Sequence, residues 1–183
     1  MAISLIANMQ QSGAYLIKGE QIDALMKVAL VEKDGKYSIN KNWVGRDAGK
    51  FLKELGINSD ARLIICETNA LHPFVQVEMM MPVLPIVRVI DIDDAIEKAV
   101  QAEHGNRHSA HIHSKNVDHL TAFARAVETT IFVKNAPSYA GIGAGGEGYT
   151  TFTIAGPTGE GITAAHSFTR QRRCVMVDGL HII

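Results

Sequence analysis

Hydrophobic positions along the chain fall first at helical spacing and later in short continuous runs. Residues 3–12 set Ile3, Ile6 and, less regularly, Met9 along one side of a helix, with Gly13 following as a C-cap. Residues 20–31 repeat the period with Ile22, Leu25, Met26 and Ala29, and Lys33-Asp34-Gly35-Lys36 then reads as a turn. A third stretch, 47–55, carries Phe51, Leu52 and Leu55 and is ended by Gly56. The first third of the chain is therefore expected to be largely helical.

The middle third changes period. Arg62–Cys66 (RLIIC) is a short apolar run suited to a strand buried on both faces. Val83–Ile90 is rich in β-branched residues, and its Pro85 points to an edge or a strand start. Asp91 can cap a following helix with Ile92, Ala95, Ile96, Ala99 and Val100 on one face. Residues 109–113 (SAHIH) form a further strand. Asn116 then caps a helix with Val117, Leu120, Phe123, Ala124 and Val127 inward, and Thr130–Val133 closes as a third strand. Strand–helix–strand–helix–strand with such short connections implies right-handed parallel crossovers, so the fold class is α/β. The last third opens with the glycine-rich Gly141–Gly148, continues through strand-like runs separated by turns, and ends in Arg172–Val177 (RRCVMV), which reads as a terminal strand.

Composition bounds the function. The chain has 183 residues, 46% hydrophobic, enough for one well-filled core or one core plus an appended element. A net charge of −1 with interspersed signs offers no basic stripe to neutralise phosphates, so nucleic acid is not an expected partner. No apolar stretch approaches the ~20 residues of a membrane span. The two cysteines, Cys66 and Cys174, both sit in apolar runs and do not form a secreted disulfide framework, which gives the expectation of an intracellular protein. The start, MAISLIANMQ, has neither a basic n-region nor a cleavage signal and looks like the middle of an amphipathic helix, with the expectation that a segment precedes it in the parent protein.

Several groups invite a chemical reading. Gly141, Gly143 and Gly146 spell G-x-G-x-x-G, but that fingerprint binds a dinucleotide only between a strand that feeds it directly and a helix that leaves it. Here Asn135–Ser138 intervene before it and strand formers follow, so a loop lining a pocket is the preferred reading. His104, His108, His111 and His113 cluster, yet without Cys, Asp or Glu at a recognised metal spacing, and no metal site is expected. Cys66 follows three apolar residues and reads as a small core residue rather than an exposed thiolate. No G-x-S-x-G elbow, H-E-x-x-H or P-loop is present. Glu78 leads an apolar run into Pro82; it could accept hydrogen bonds from sugar hydroxyls, or be a solvated loop carboxylate.

Longer segments go further than spacing. The run from His72 to Pro85 (HPFVQVEMMMPVLP), together with EHGNRHSAHIHSKNVDHL, TTIFVKNAPSYAGIGAGGEGYTTFTIAGPTGEG and FTRQRRCVMV, closely resembles the coenzyme-A-acylating aldehyde dehydrogenases of ethanolamine and propanediol utilisation. The resemblance runs in order over nearly the whole chain. It implies a three-layer α/β/α catalytic domain with a mostly parallel sheet, partial over 1–168, and a pairing strand for a neighbouring subunit in 169–183. It also implies the reaction of a short-chain aldehyde with NAD⁺ and coenzyme A to give acyl-coenzyme A. In the family a cysteine thiolate adds to the aldehyde, hydride passes to the nicotinamide, and coenzyme A takes the acyl group from the thioester.

By the same resemblance Glu78 corresponds to a Glu that binds the nicotinamide ribose, although Met rather than an aromatic residue follows it here. Gly143, Gly145 and Gly146 correspond to a loop near the substrate pocket. The family's nucleophilic cysteine and its dinucleotide-binding domain lie upstream of the matched segment, so no catalytic residue is assigned in this chain. The expected protein is a homo-oligomer, cytoplasmic or enclosed in a bacterial microcompartment, and this chain is expected to be inactive alone. The alternative is a non-catalytic assembly or binding module that keeps the fold. An enzyme using Cys66 is the weakest of the three readings.

Overall fold

Turn residues and three short strands reshape the part of the chain expected to be helical. The computed structural model describes residues 2–145, 150–151, 153–155, 161–175 and 177, and the chain divides into two compact units, Met1–Lys98 and Ala99–Ile183. Helix α1 (Ala2–Gln11) buries Ile6 and ends at Gly13, whose φ of 96° suits a glycine. Strand β1 (Ala14–Ile17) follows where no strand was expected. Helix α2 (Glu20–Ala29) buries Leu25 and Ala29. It stops two residues short of the predicted end because Leu30–Lys33 becomes strand β2, antiparallel to β3 (Lys36–Ile39). Asp34 and Gly35, at φ 52° and 72°, supply the two left-handed positions of a tight hairpin turn.

Helix α3 (Ala48–Glu54) buries Ala48, Phe51 and Leu52 as its pattern predicts. Strand β4 (Leu63–Thr68), helix α4 (Pro73–Gln76) and strand β5 (Val83–Val87) complete a sheet of order β1-β4-β5, parallel throughout. As the central strand, β4 has Ile64, Ile65 and Cys66 wholly withdrawn from solvent, which is the burial on both faces that its apolar run predicts. The core on one side gathers Ile17, Leu25, Phe51, Leu52, Ile64, Cys66, Phe74 and Val83. Trp43 closes over Phe51 with ring centroids 4.7 Å apart.

Pro85 sits on the edge strand, as expected. The Ile64 N–H donates to the Pro82 carbonyl at 2.9 Å, so by the alternation of a parallel ladder the nitrogen of Pro85 faces outward, where no ladder bond is lost. Strand β5 ends at Val87 rather than Ile90. The Ile90 N–H instead donates to Asp94 Oδ2 at 3.0 Å, and Asp91 Oδ1 accepts from the Asp94 N–H at 2.9 Å, capping helix α5 (Ile92–Glu103). On its predicted inward face Ile92, Ala95, Ile96 and Ala99 are half-buried, and Val100 is exposed.

In the second unit, strand β6 (Ser109–Ile112) pairs in parallel with β7 (Ile131–Lys134) across helix α6 (Val117–Val127). Asn116 caps α6 as predicted, its side chain accepting from the backbone N–H groups of Asp118 and His119. Phe123 and Val127 are buried, and Phe123 meets Phe132 at 5.7 Å, but Val117 is 68% exposed rather than inward. Strands β8 (Thr153–Ala155) and β9 (Gly161–Thr163) form a separate antiparallel pair.

The expected five-element alternation is thus present element by element, with β4–β5 and β6–β7 in separate ladders rather than one. Of the terminal strand expected over Arg172–Val177, the described residues 172–175 and 177 are not in a strand. Residues 171–175 are exposed and irregular; Met176 lies outside the described residues. No helix among the described residues is long and apolar enough to cross a membrane.

Candidate active-site elements

The segment that carries Glu78 is held at both ends by its own backbone. Pro73 opens α4, where a missing N–H is harmless, and His72 caps it by accepting the Phe74 N–H at Nδ1, 3.1 Å. Gln76 Nε2 donates to the Ala70 carbonyl at 2.7 Å, and the Val77 N–H to Pro73 at 2.9 Å. Beyond Glu78, Met79 drops into the core at 7% exposure, while Met80 turns outward through a left-handed φ of 51°. The Met80 carbonyl accepts the Gly45 N–H at 3.4 Å and the Pro82 carbonyl joins β4, so the segment is clamped on both sides. Glu78 itself is exposed and has no ion-pair partner among the described residues. Its carboxylate oxygens are therefore available to accept hydrogen bonds from a ligand hydroxyl.

Beside this segment lies a cleft of about 680 Å³ bounded by Gly45–Gly49, Asp60–Arg62 and Met80–Pro82. A second, of about 620 Å³, opens at the carboxyl ends of β1, β4 and β5 and is lined by Asp23, Thr68, His72, Arg88 and Lys98 among others. There Arg88 pairs with Glu67 at 2.5 Å. Burial pushes the His72 imidazole below its ordinary proton affinity, and Asp23 acts in the opposite direction. Neither cleft was foreseen, because the residues lining each come from separate loops and strands.

The glycine-rich loop belongs to the second unit. A short 3₁₀ turn, Ser138–Ile142, carries Gly141 against β7, where an added Cβ would lie 2.3 Å from the Ile131 Cγ2. Only a glycine allows this approach. Gly143 ends the turn at φ 88° and Gly145 follows at 77°; Gly146 lies outside the described residues. The Ala144 N–H returns to the Tyr139 carbonyl at 3.0 Å, and the Thr151 N–H reaches Ile142 at 3.3 Å. Among the described residues the next regular element is strand β8, where a dinucleotide fingerprint would lead into a helix.

The histidines divide by partner. His104, His108, His111 and His113 are all exposed; His108 Nδ1 lies 3.0 Å from Ser109 Oγ and His111 Nε2 lies 2.8 Å from Ser138 Oγ. Among the described residues no group of three His, Cys, Asp or Glu is placed to hold a metal ion. Cys66 is fully buried, and burial pushes its thiol up to about 11, while Cys174 is exposed.

Comparison with known proteins fits this arrangement. Residues 61–172 match the model of the aldehyde dehydrogenase family. The whole chain is 47% identical to the acetylating acetaldehyde dehydrogenase EutE of Salmonella typhimurium, of which it covers 40%. Among solved structures, it is 51% identical to Rhodopseudomonas palustris propionaldehyde dehydrogenase with bound propionyl-CoA, at a TM-score of 0.88 over 96% of this chain and 39% of that one. The propionaldehyde dehydrogenase of the Clostridium phytofermentans fucose utilisation bacterial microcompartment gives 52% and 0.87, over 98% of this chain and 41% of the other. The chain thus spans about two fifths of the length of the relatives it matches. With a family match across most of its length and the same fold, the chain belongs to the aldehyde dehydrogenase family.

Proposed function

We propose that this chain contributes the C-terminal part of the catalytic domain to a coenzyme-A-acylating aldehyde dehydrogenase, which oxidises a short-chain aldehyde to acyl-CoA with NAD⁺ and coenzyme A. The observation that carries the reading is 47% identity, over the full chain, to an acetylating acetaldehyde dehydrogenase. In this reading NAD, when bound, supplies the hydride acceptor. The unpaired, exposed Glu78 carboxylate would accept hydrogen bonds from its ribose hydroxyls, a role its clamped backbone and free oxygens fit. Gly143 and Gly145, with Gly146 beyond the described residues, would border the aldehyde pocket.

The nucleophilic cysteine belongs to the segment preceding the matched region in the family. Cys66 does not replace it, since a buried thiol with a pKa of about 11 supplies little thiolate near neutrality. On this reading the 183 residues alone are expected to give no turnover. Residues 169–183 would pair with a neighbouring subunit of a homo-oligomer, in the cytoplasm or within a bacterial microcompartment.

The test is NADH formation from propionaldehyde or acetaldehyde, NAD⁺ and coenzyme A. The purified 183-residue chain should give none, and adding the remaining part of a full-length relative, about three-fifths of it, should restore turnover. Turnover by the chain alone would overturn the reading.

A further inference from the structure

Two serine–histidine pairs are in contact among the described residues, the sequence neighbours His108 and Ser109 and one long-range pair. Ser138 Oγ lies 2.8 Å from His111 Nε2, although the residues are 27 apart in sequence. Both are exposed, so a reagent can reach them. His111 is fixed on β6, where the ladder sets it opposite Val133. Ser138 is fixed at the head of a turn that Gly141 presses against β7 and that the Ala140 N–H, donating to the Pro137 carbonyl at 3.0 Å, closes on itself. A hydroxyl within hydrogen-bond reach of a neutral imidazole is the geometry of a base-activated nucleophile.

We propose that Ser138 is an acyl-accepting nucleophile with His111 as its general base, reactive toward activated acyl groups of the thioester or ester class. The Ser138 oxygen bonds to the acyl carbon while its proton passes to His111 Nε2. The bond to the leaving group then breaks, and the departing thiolate or alkoxide takes that proton. Water hydrolyses the resulting serine ester by the same relay. The step needs no oxidant or cofactor, so it stands apart from the dehydrogenase reading and does not depend on it.

A fluorophosphonate probe on the 183-residue chain, followed by peptide mass mapping, tests this. Ser138 should label about 100-fold faster than the exposed Ser12, the scale of general-base assistance. His111→Asn should remove about that factor, and Ser138→Ala should abolish label on its peptide while leaving the circular dichroism melt unchanged. Labelling of Ser138 no faster than Ser12, or an unchanged rate in H111N, would overturn the proposal.

Discussion

In Met1–Lys98 the central strand β4 hides Ile64, Ile65 and Cys66 completely, and Phe51 and Leu52 from α3 are equally inaccessible. In Ala99–Ile183 the strands bury alternate residues instead: Ile131 and Val133 are buried on β7, and Ala110 on β6, while His111 is exposed. A strand covered on both faces is written as a continuous apolar run and has no position to spare for a reactive side chain. One covered on a single face alternates, and its outward positions can carry polar chemistry. That difference explains why the second unit presents a serine–histidine contact, whereas the cysteine of the first unit is held in its core.

The sharpest way to break the comparison is to open the first core. Phe51→Ala removes a fully buried ring and its contact with Trp43, and should lower stability by roughly 3–5 kcal/mol. Urea unfolding would report the loss. Hydrogen exchange should show it in β1 and β4, with the β6–β7 amides less affected. Gly141→Ala acts on the second unit, where the new methyl meets Ile131 Cγ2 at 2.3 Å; overpacking of this kind costs roughly 1–3 kcal/mol and should loosen the β7 amides first.

Asn116→Ala removes the acceptor for two N–H groups at the head of α6 and should cost about 1 kcal/mol, read from the same urea curves. The smallest effect is a slope. Burial lowers the proton affinity of His72 below its usual value of 6.5, so folding favours the neutral ring. Its contribution is complete above that unfolded value and is lost as pH falls through the lower folded one. His72→Gln should therefore flatten the fall in urea midpoint as pH drops below about 6.5.

Much of the fold was legible where local and tertiary preferences agree. RLIIC announced β4, the caps Asp91 and Asn116 announced α5 and α6, and Pro85 announced an edge. Strands β1, β2 and β3 were not legible, because four-residue runs such as AYLI are too short to show a period and become strands only by pairing. For β1 that partner is β4, distant in the chain, with Tyr15 set beside Ile64. The outward turn of Val117 has the same kind of cause, since an apolar residue in the first turn of a helix is buried only if something lies above it.

The candidate site divides in the same way. Glu78 was marked by the segment around it, but its availability is a tertiary fact: it depends on Met79 entering the core and on the Met80 carbonyl holding Gly45. The glycines were visible as glycines, yet only the packing of Gly141 on Ile131 says which of them the backbone needs for close approach.

By itself the sequence determined the fold class, the helix caps, the buried central strand and the likeness of its long segments to one enzyme family. Those follow from periods and local hydrogen bonds that each segment carries within itself. Only the tertiary structure decided which short runs are strands, that Glu78 is free, and that His111 reaches Ser138. Each of those depends on ladders and core contacts between distant segments, which no local pattern encodes.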